Sequence, residues 1–190
     1  MVFSSLLFVF LFLALNLVCY YSVKTIRQKN IVLLVFSLIF YAWGGAAYLL
    51  LLAGMAFWSW LCALMIEKKQ NKKSGLILMW ISVAVSLSFL LIFKYADFLI
   101  ENVNQLPGVS LPLSKLSLPI GISFYTFQII SYTVDVWRGD TKAQRNIISF
   151  GTYVSLFPQL IAGPIVRYTD IERELQERKH SVTLAASGIK

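Results

Sequence analysis

Six long apolar blocks constrain the fold of this 190-residue chain more than any other feature. They are Phe3–Tyr21, Ile31–Trp43, Ala46–Ile66, Leu76–Phe93, Leu118–Trp137 and Ile147–Val166. Most approach the roughly 20 residues that a helix needs to cross about 30 Å of hydrocarbon. The sequence therefore predicts an all-α fold, a polytopic membrane helix bundle of five to six apolar segments with the lipid bilayer as its partner.

The distribution of the 17 lysines and arginines predicts an orientation in the membrane. Three lie in Lys24–Asn30, four in Glu67–Gly75, three in Arg138–Arg145 and five from Arg167 onward. Strict alternation places the first three groups on one face, which the positive-inside rule makes cytoplasmic, with the N-terminus outside. A multi-pass membrane protein that follows the positive-inside rule explains the net charge of +8 without a nucleic-acid partner.

The sixth block conflicts with that alternation, because a complete span would place the five-charge tail outside. The block contains the structural breakers Pro158, Gly163 and Pro164, and proline removes a backbone donor. A broken or re-entrant helix would return Arg167 to the cytoplasmic side. The alternative is a kinked but complete span with an unfavourable tail.

The chain divides into two predicted parts. Residues 1–166 form the N-terminal part of a transmembrane domain, and residues 167–190 form an amphipathic helix at the cytoplasmic face and a truncated connection. The helix is supported by a capping box at Thr169 and Glu172, an ion pair of Glu174 with Arg178, and an apolar face at Ile171 and Leu175.

Polar residues in the fifth block are spaced so that they share one helix face. Gly121, Tyr125, Gln128, Tyr132 and Asp135 follow one another at intervals of 4, 3, 4 and 3. Polar side chains at membrane depth usually face a protein interior or a wet cavity, so this face predicts an intramembrane polar site. The alternative is that the residues only join neighbouring helices, with Asp135 paired to Arg138 at the membrane edge.

No catalytic or metal-binding residue is predicted in this chain. The single histidine, His180, lies in a charged segment where a solvated side chain is expected. Cys19 and Cys62 have neither CxxC nor Cys/His spacing, so they indicate neither a disulfide framework nor a zinc site.

Two motifs carry a resemblance to a known family. The run LPIGISFYTFQIISYTVDVWRG at Leu118–Gly139, followed by FPQLIAGPIVRY at Phe157–Tyr168, resembles the membrane-bound O-acyltransferase family. The similarity is greatest to the bacterial branch that acetylates alginate and related exopolysaccharides. It covers nearly the whole chain in order; the FPQLIAGPIVRY motif is highly specific, and the apolar N-terminus is weakly so.

The resemblance implies a ring of helices around a tunnel that joins the two membrane faces. An acyl donor, acetyl-coenzyme A or another activated acetyl carrier, would act at the cytoplasmic side, with no cofactor held permanently. Periplasmic or extracellular polysaccharide-acetylation proteins would complete the transfer. Residues on the matching motifs are then candidates for tunnel or interface roles: Tyr125, Gln128, Tyr132, Asp135, Gln159 and Arg167.

The chain departs from the family in one respect. Members carry an essential histidine in an apolar segment downstream of the second motif, and His180 does not match that context. We therefore expect an N-terminal fragment of an integral-membrane O-acyltransferase that is inactive by itself. The alternative is a small transporter-like protein or a partner-binding membrane scaffold without catalysis.

Overall fold

Helices form all of the regular structure in the part of the chain that the computed structural model describes, which is residues 5–70, 72–106, 109–114, 116–163 and 165–178. A π-helical turn at Phe8–Leu13 continues directly into the first α-helix. The α-helices are α1 Ala14–Ser22, α2 Ile26–Ala42, α3 Ala46–Lys68, α4 Lys73–Val103, α5 Ile122–Arg138, α6 Ile147–Ser155, α7 Phe157–Ala162 and α8 Tyr168–Glu177. The all-α prediction is confirmed.

Within the described residues, two helices are long and apolar enough to cross a membrane. These are α3, with 23 residues, and α4, with 31. The apolar helical segments Phe8–Ser22 and Ile147–Leu160 are shorter. By length and composition, the structure therefore supports two of the predicted spans, and the count of five to six stays a prediction.

Local interactions explain why two helices begin away from the predicted block edges. Helix α2 begins before Ile31 because the Thr25 side chain accepts from the Gln28 N–H at 3.2 Å, while the Gln28 side chain accepts from the Thr25 N–H at 3.3 Å. Helix α5 begins only at Ile122, because Gly121 has a left-handed φ of 73°. Gly121 therefore lies before the helix instead of on its polar face.

The main core lies where α5 packs against α3 and α4, and where α6 packs against α2 and α3. Its fully buried side chains include Leu52, Tyr125 and Ile129. A hydrogen bond between the Ser59 and Thr133 hydroxyls, 3.0 Å apart, joins α3 to α5 inside this core. The helices are therefore held by apolar packing and by buried polar contacts together.

A second cluster of aromatic rings joins the N-terminal helix to the rest of the bundle. Phe8 and Phe12 pack against Phe40 of α2 and Phe157 of α7, with ring centroids 5.6–5.9 Å apart. Offset and edge-to-face rings at this separation attract one another beyond their buried area. The start of the chain and the start of α7 therefore share one packing site.

Helix α8 packs its apolar face on the bundle. Leu175 is buried and Ile171 packs against the main core, so the predicted apolar face is confirmed. The predicted capping box is wrong. The helix begins at Tyr168, and Thr169 therefore lies inside its first turn, where its side chain cannot act as the cap. Glu172 instead accepts from the Thr141 hydroxyl at 3.0 Å.

The predicted ion pair between Glu174 and Arg178 is also wrong. The Arg178 guanidinium donates to the Tyr20 hydroxyl and to the Asn30 side-chain oxygen, each at 2.7 Å, and only its Nε contacts the Glu174 backbone carbonyl. The Asn30 amide donates to the Leu175 carbonyl at 2.9 Å. Arg178 therefore joins the end of α8 to α1 and α2 through charge-assisted hydrogen bonds instead of pairing along its own helix.

Candidate functional site

The sixth apolar block is broken into two helices, as predicted. Helix α6 ends at Ser155, and α7 begins at Phe157 after Leu156, whose ψ of 108° is not helical. Pro158 lies in the first turn of α7, where its missing N–H removes no helical hydrogen bond. At about 1.5 Å per residue, neither piece reaches across the roughly 30 Å of a bilayer core.

Side chains from two other helices satisfy the backbone groups that the break releases. In a continuous helix the Phe157 N–H would donate to the Tyr153 carbonyl. Instead, the Phe157 N–H donates to the Ser37 hydroxyl of α2 at 3.3 Å. The Tyr153 carbonyl accepts from the Gln128 side-chain amide of α5 at 3.1 Å. These two backbone groups are therefore paired inside the protein although the helix is interrupted.

After the break the chain returns to the end of the bundle from which it came. Gly163 ends α7 with extended backbone, and a Cβ there would lie 2.8 Å from the Gln159 Cα. Beyond it, the Tyr153 hydroxyl donates to the Val166 carbonyl at 3.1 Å. The Gln144 amide then donates to the Tyr168 hydroxyl at 2.7 Å, so the residues on either side of this segment meet. The third predicted breaker, Pro164, lies outside the described residues.

The polar face of α5 points into the protein. Tyr125, Gln128, Tyr132 and Asp135 are each 3% exposed or less, and we call these four residues the polar stripe. Tyr132 accepts a hydrogen bond from the backbone N–H of Gln144 at 2.8 Å. The Tyr125 ring packs edge to face on Tyr41 of α2, with ring centroids 6.4 Å apart. The stripe therefore provides contacts between α5 and its neighbouring elements.

Asp135 and Arg167 form the one strongly electrostatic contact of this site. The Arg167 guanidinium donates through Nη2 at 2.5 Å and Nε at 3.3 Å to the two carboxylate oxygens. The Asp135 side chain is 4% exposed, whereas the Arg167 side chain is 51% exposed. The hydrogen bonds that Arg167 donates to Asp135, together with the negative charge of that carboxylate, raise the pKa of Arg167 above its ordinary value. Arg138, the partner that the alternative interpretation gave Asp135, does not fill that role.

Three tyrosine rings, from α5, α6 and α8, pack together beside the polar stripe. The Tyr132 and Tyr168 centroids are 5.0 Å apart, and those of Tyr153 and Tyr168 are 5.2 Å apart, both edge to face. Tyr168 is fully buried. Burial raises its pKa to about 12, so its hydroxyl stays neutral near pH 7. These rings connect α5, α6 and α8 into one unit.

The connection from α5 to α6 is fixed by two residues of α3. The Glu67 carboxylate accepts from the Ala143 N–H at 3.2 Å and pairs with Arg145. The Trp60 indole N–H donates to the Gln144 carbonyl at 2.7 Å. Gln144 therefore has a defined position from which it contacts both Tyr132 and Tyr168.

The chain is 41% identical over 196 residues to a probable alginate O-acetylase of Pseudomonas putida, and 42% identical over 199 residues to that of Pseudomonas aeruginosa. Both alignments cover 99% of this chain. The chain is a relative of the alginate O-acetylases. The predicted resemblance to that branch of the membrane-bound O-acyltransferases is confirmed.

A more distant relative is the peptidoglycan O-acetyltransferase of Helicobacter pylori, 26% identical over 208 residues that cover 95% of this chain. No family profile matches the chain. No solved structure matches it significantly. The chain spans 40% of the P. putida relative and 37% of the P. aeruginosa relative.

In the part of the chain that the structure describes, the site positions side chains and contains no recognisable reaction centre. Among the described residues there is no cluster of three His, Cys, Asp or Glu side chains that could hold a metal ion. His180 lies outside the described residues. Cys62 is buried and Cys19 is half-buried. What the geometry does provide is a broken helix, a buried polar stripe and a half-exposed arginine held by a buried carboxylate.

The structure brings five of the six candidate residues into one connected region. The sixth, Gln159, lies in α7, which Gly163 ends. Gln159 is half-buried, and its side-chain nitrogen has no hydrogen-bond partner. Sequence reasoning missed Ser37, Asn30 and Gln144. Each contacts residues far away along the chain, and no local pattern marks such a contact. Tyr168 was within reach, since it ends the FPQLIAGPIVRY motif.

Proposed function

We propose that this chain forms part of an integral-membrane O-acetyltransferase, which passes acetyl groups across the bacterial cell membrane for O-acetylation of a polysaccharide such as alginate. The observation that carries the proposal is the similarity to alginate O-acetylases along 99% of the chain. The lower identity to a peptidoglycan O-acetyltransferase makes an alginate-like acceptor the better choice.

The surface of the helices supports a place in the membrane. Leu50, Trp80 and Phe98 are among the large apolar side chains that are 60% exposed or more, and α3 and α4 carry all three. Exposure of so extended an apolar surface to water is unfavourable, whereas contact with lipid is not. We place α3 and α4 across the bilayer, with the other apolar helices beside them and the N-terminus outside.

We further propose that the segment between Asn146 and Tyr168 re-enters the membrane without crossing it. The hydrogen bond from Gln144 to Tyr168 supports this placement, because it joins the two ends of the segment. The basic loops and α8 would then share the cytoplasmic side. This arrangement removes the conflict between the five-charge tail and the positive-inside rule.

The polar stripe and the return segment would together form one wall of the acyl path. Arg167 is held by Asp135 but remains half-exposed, so it offers positive charge to an anionic acyl donor such as acetyl-coenzyme A. The reacting histidine that the family implies would come from a part of the protein outside this chain. Periplasmic acetylation proteins would receive the acetyl group.

A chimeric protein tests the proposal. The matching region of the P. aeruginosa relative is replaced by this chain, and acetyl groups on secreted alginate are measured by proton NMR. We expect the chimera to retain acetylation, and we expect Asp135→Asn in the chimera to reduce it. Lys94→Gln, an exposed change remote from the site, serves as the matched control.

Membrane levels of each protein are measured by immunoblot in the same cells. A chimera that is present at the parental level and yields no acetylated alginate contradicts the proposed acceptor. The same chimera, tested for acetylation of peptidoglycan, then decides whether the alternative acceptor applies.

A further inference from the structure

A pocket of about 460 Å³ lies where α4 begins and α5 ends. It is lined by Lys72, Lys73, Leu76, Trp137 and Arg138. The three cationic side chains are exposed, and among the described residues no acidic side chain lines the pocket. The ion pairs seen in the described structure involve Arg145 and Arg167 instead. The pocket therefore concentrates positive charge that no described carboxylate neutralises.

The backbone around the pocket is fixed by close contacts. The Gln70 side chain donates to the Val136 carbonyl at 3.3 Å and so ties the α3–α4 connection to the end of α5. Gly139 has a left-handed φ of 84°, and a Cβ there would lie 2.6 Å from the Gln70 amide nitrogen. A Cβ at Gly75 would lie 2.4 Å from the Lys69 carbonyl oxygen. The lysines and the arginine are thus carried on backbone with little freedom to move apart.

One wall of the pocket continues onto an apolar surface. Leu76 lines the pocket, and Ile77 and Trp80 on the following turn of α4 are 59% and 60% exposed. Trp137 is half-buried at the opposite side. Tryptophan beside lysine and arginine at a helix end is typical of the boundary between headgroups and hydrocarbon.

We infer that this pocket binds the headgroup phosphate of an anionic phospholipid, such as phosphatidylglycerol, with the acyl chains lying along the exposed face of α4. The inference rests on the proposed placement of α4 across the membrane. Lysine and arginine form strong charge-assisted hydrogen bonds to phosphate oxygens. Basic pockets between helices at the cytoplasmic side recognise anionic headgroups in this way. Soluble phosphate has the same charge, but it would leave the adjoining apolar surface unused.

The test uses the full chain reconstituted into nanodiscs of phosphatidylcholine and phosphatidylglycerol. Lipids that stay bound after transfer to detergent are counted by native mass spectrometry. The pocket variant combines Lys72→Gln, Lys73→Gln and Arg138→Gln. The matched control combines Lys24→Gln, Arg27→Gln and Lys142→Gln, which removes three exposed charges elsewhere. We expect the pocket variant to lose about tenfold in phosphatidylglycerol retention and the control less than about twofold.

Three results would overturn the inference. Equal losses in both variants would indicate general charge attraction instead of a site. Release of bound phosphatidylglycerol by excess inorganic phosphate would assign the pocket to soluble phosphate. A chain that inserts into nanodiscs without preference for phosphatidylglycerol would refute the lipid site alone, whereas a chain that fails to insert would refute the proposed membrane placement as well.

Discussion

The contact between Gln128 and the helix break offers the sharpest test of how this fold is held. Gln128→Met keeps the length and the apolar stem of the side chain but removes the amide that donates to the Tyr153 carbonyl at 3.1 Å. Gln128 is 2% exposed, so water cannot replace that donor. The change therefore leaves a buried acceptor unpaired at the point where the helix is interrupted.

The expected loss follows from what such groups cost. An unsatisfied buried backbone group costs about 1–3 kcal/mol in soluble proteins. Side-chain hydrogen bonds between membrane helices average about 0.6 kcal/mol and reach about 1.7. We therefore expect Gln128→Met to lower the free energy of unfolding by about 1–2 kcal/mol. For a chain of this size that corresponds to a melting temperature about 2–8 °C lower.

The chain contains its own reporter for the measurement. Cys62 is 0% exposed in the main core, so its reaction with a fluorogenic maleimide during heating in detergent reports unfolding. A Cys19→Ser background leaves Cys62 as the single thiol. Thr126→Val is the matched control, because Thr126 is equally buried in α5 and its hydroxyl has no hydrogen-bond partner. Removal of such a group is expected to be neutral or slightly stabilising.

Equal shifts for Gln128→Met and Thr126→Val would refute this reasoning, because they would show that the amide contributes nothing specific. Ser37→Ala provides a second check. It removes the acceptor of the Phe157 N–H, the other group released by the break. Since both changes act on one structural feature, we expect the double variant to depart from additivity.

Three further predictions use the same thermal assay. Arg167→Gln should lower the melting temperature, because it leaves the Asp135 carboxylate buried and unpaired. Asp135→Asn in that background should restore part of the loss, and no recovery would refute the pairing. Gly163→Ala should destabilise the chain, because the added Cβ would lie 2.8 Å from the α7 backbone. The control Gly54→Ala meets nothing within 4 Å and should be neutral or stabilising. Equal effects of the two changes would count against the close approach at Gly163. Because the pKa of Tyr168 is raised, the contribution of this side chain to stability is complete below its ordinary pKa of 10.0 and is lost as the pH rises toward about 12. Tyr168→Phe should therefore reduce the fall in melting temperature across that pH range. An unchanged pH profile would contradict this assignment.

The sequence predicted those features that depend on local spacing. The intervals between Tyr125, Gln128, Tyr132 and Asp135 identified a common face, and that face is buried. Pro158 indicated a broken helix, and the apolar blocks located α3 and α4. These predictions succeed because helical periodicity and proline geometry act within a few residues.

Features that depend on long-range contacts could not be predicted in the same way. Arg167 pairs with Asp135 from 32 positions away, although Arg138 is nearer along the chain. The break falls at Leu156, ahead of the proline, where Ser37 and Gln128 can satisfy the released groups. Such contacts depend on how helices pack, which no single segment of the sequence determines.

The central claim is that the segment between Asn146 and Tyr168 starts and finishes at the same end of the bundle. Helix α8 then lies on the same side of the membrane as the basic loops. Single cysteines are introduced by Lys142→Cys before α6 and by Asp170→Cys in α8, in a background without Cys19 and Cys62. Membrane-impermeant maleimide is then applied to intact cells and to inside-out vesicles. The account predicts that both positions react only in inside-out vesicles. Labelling of the two positions from opposite sides would contradict it.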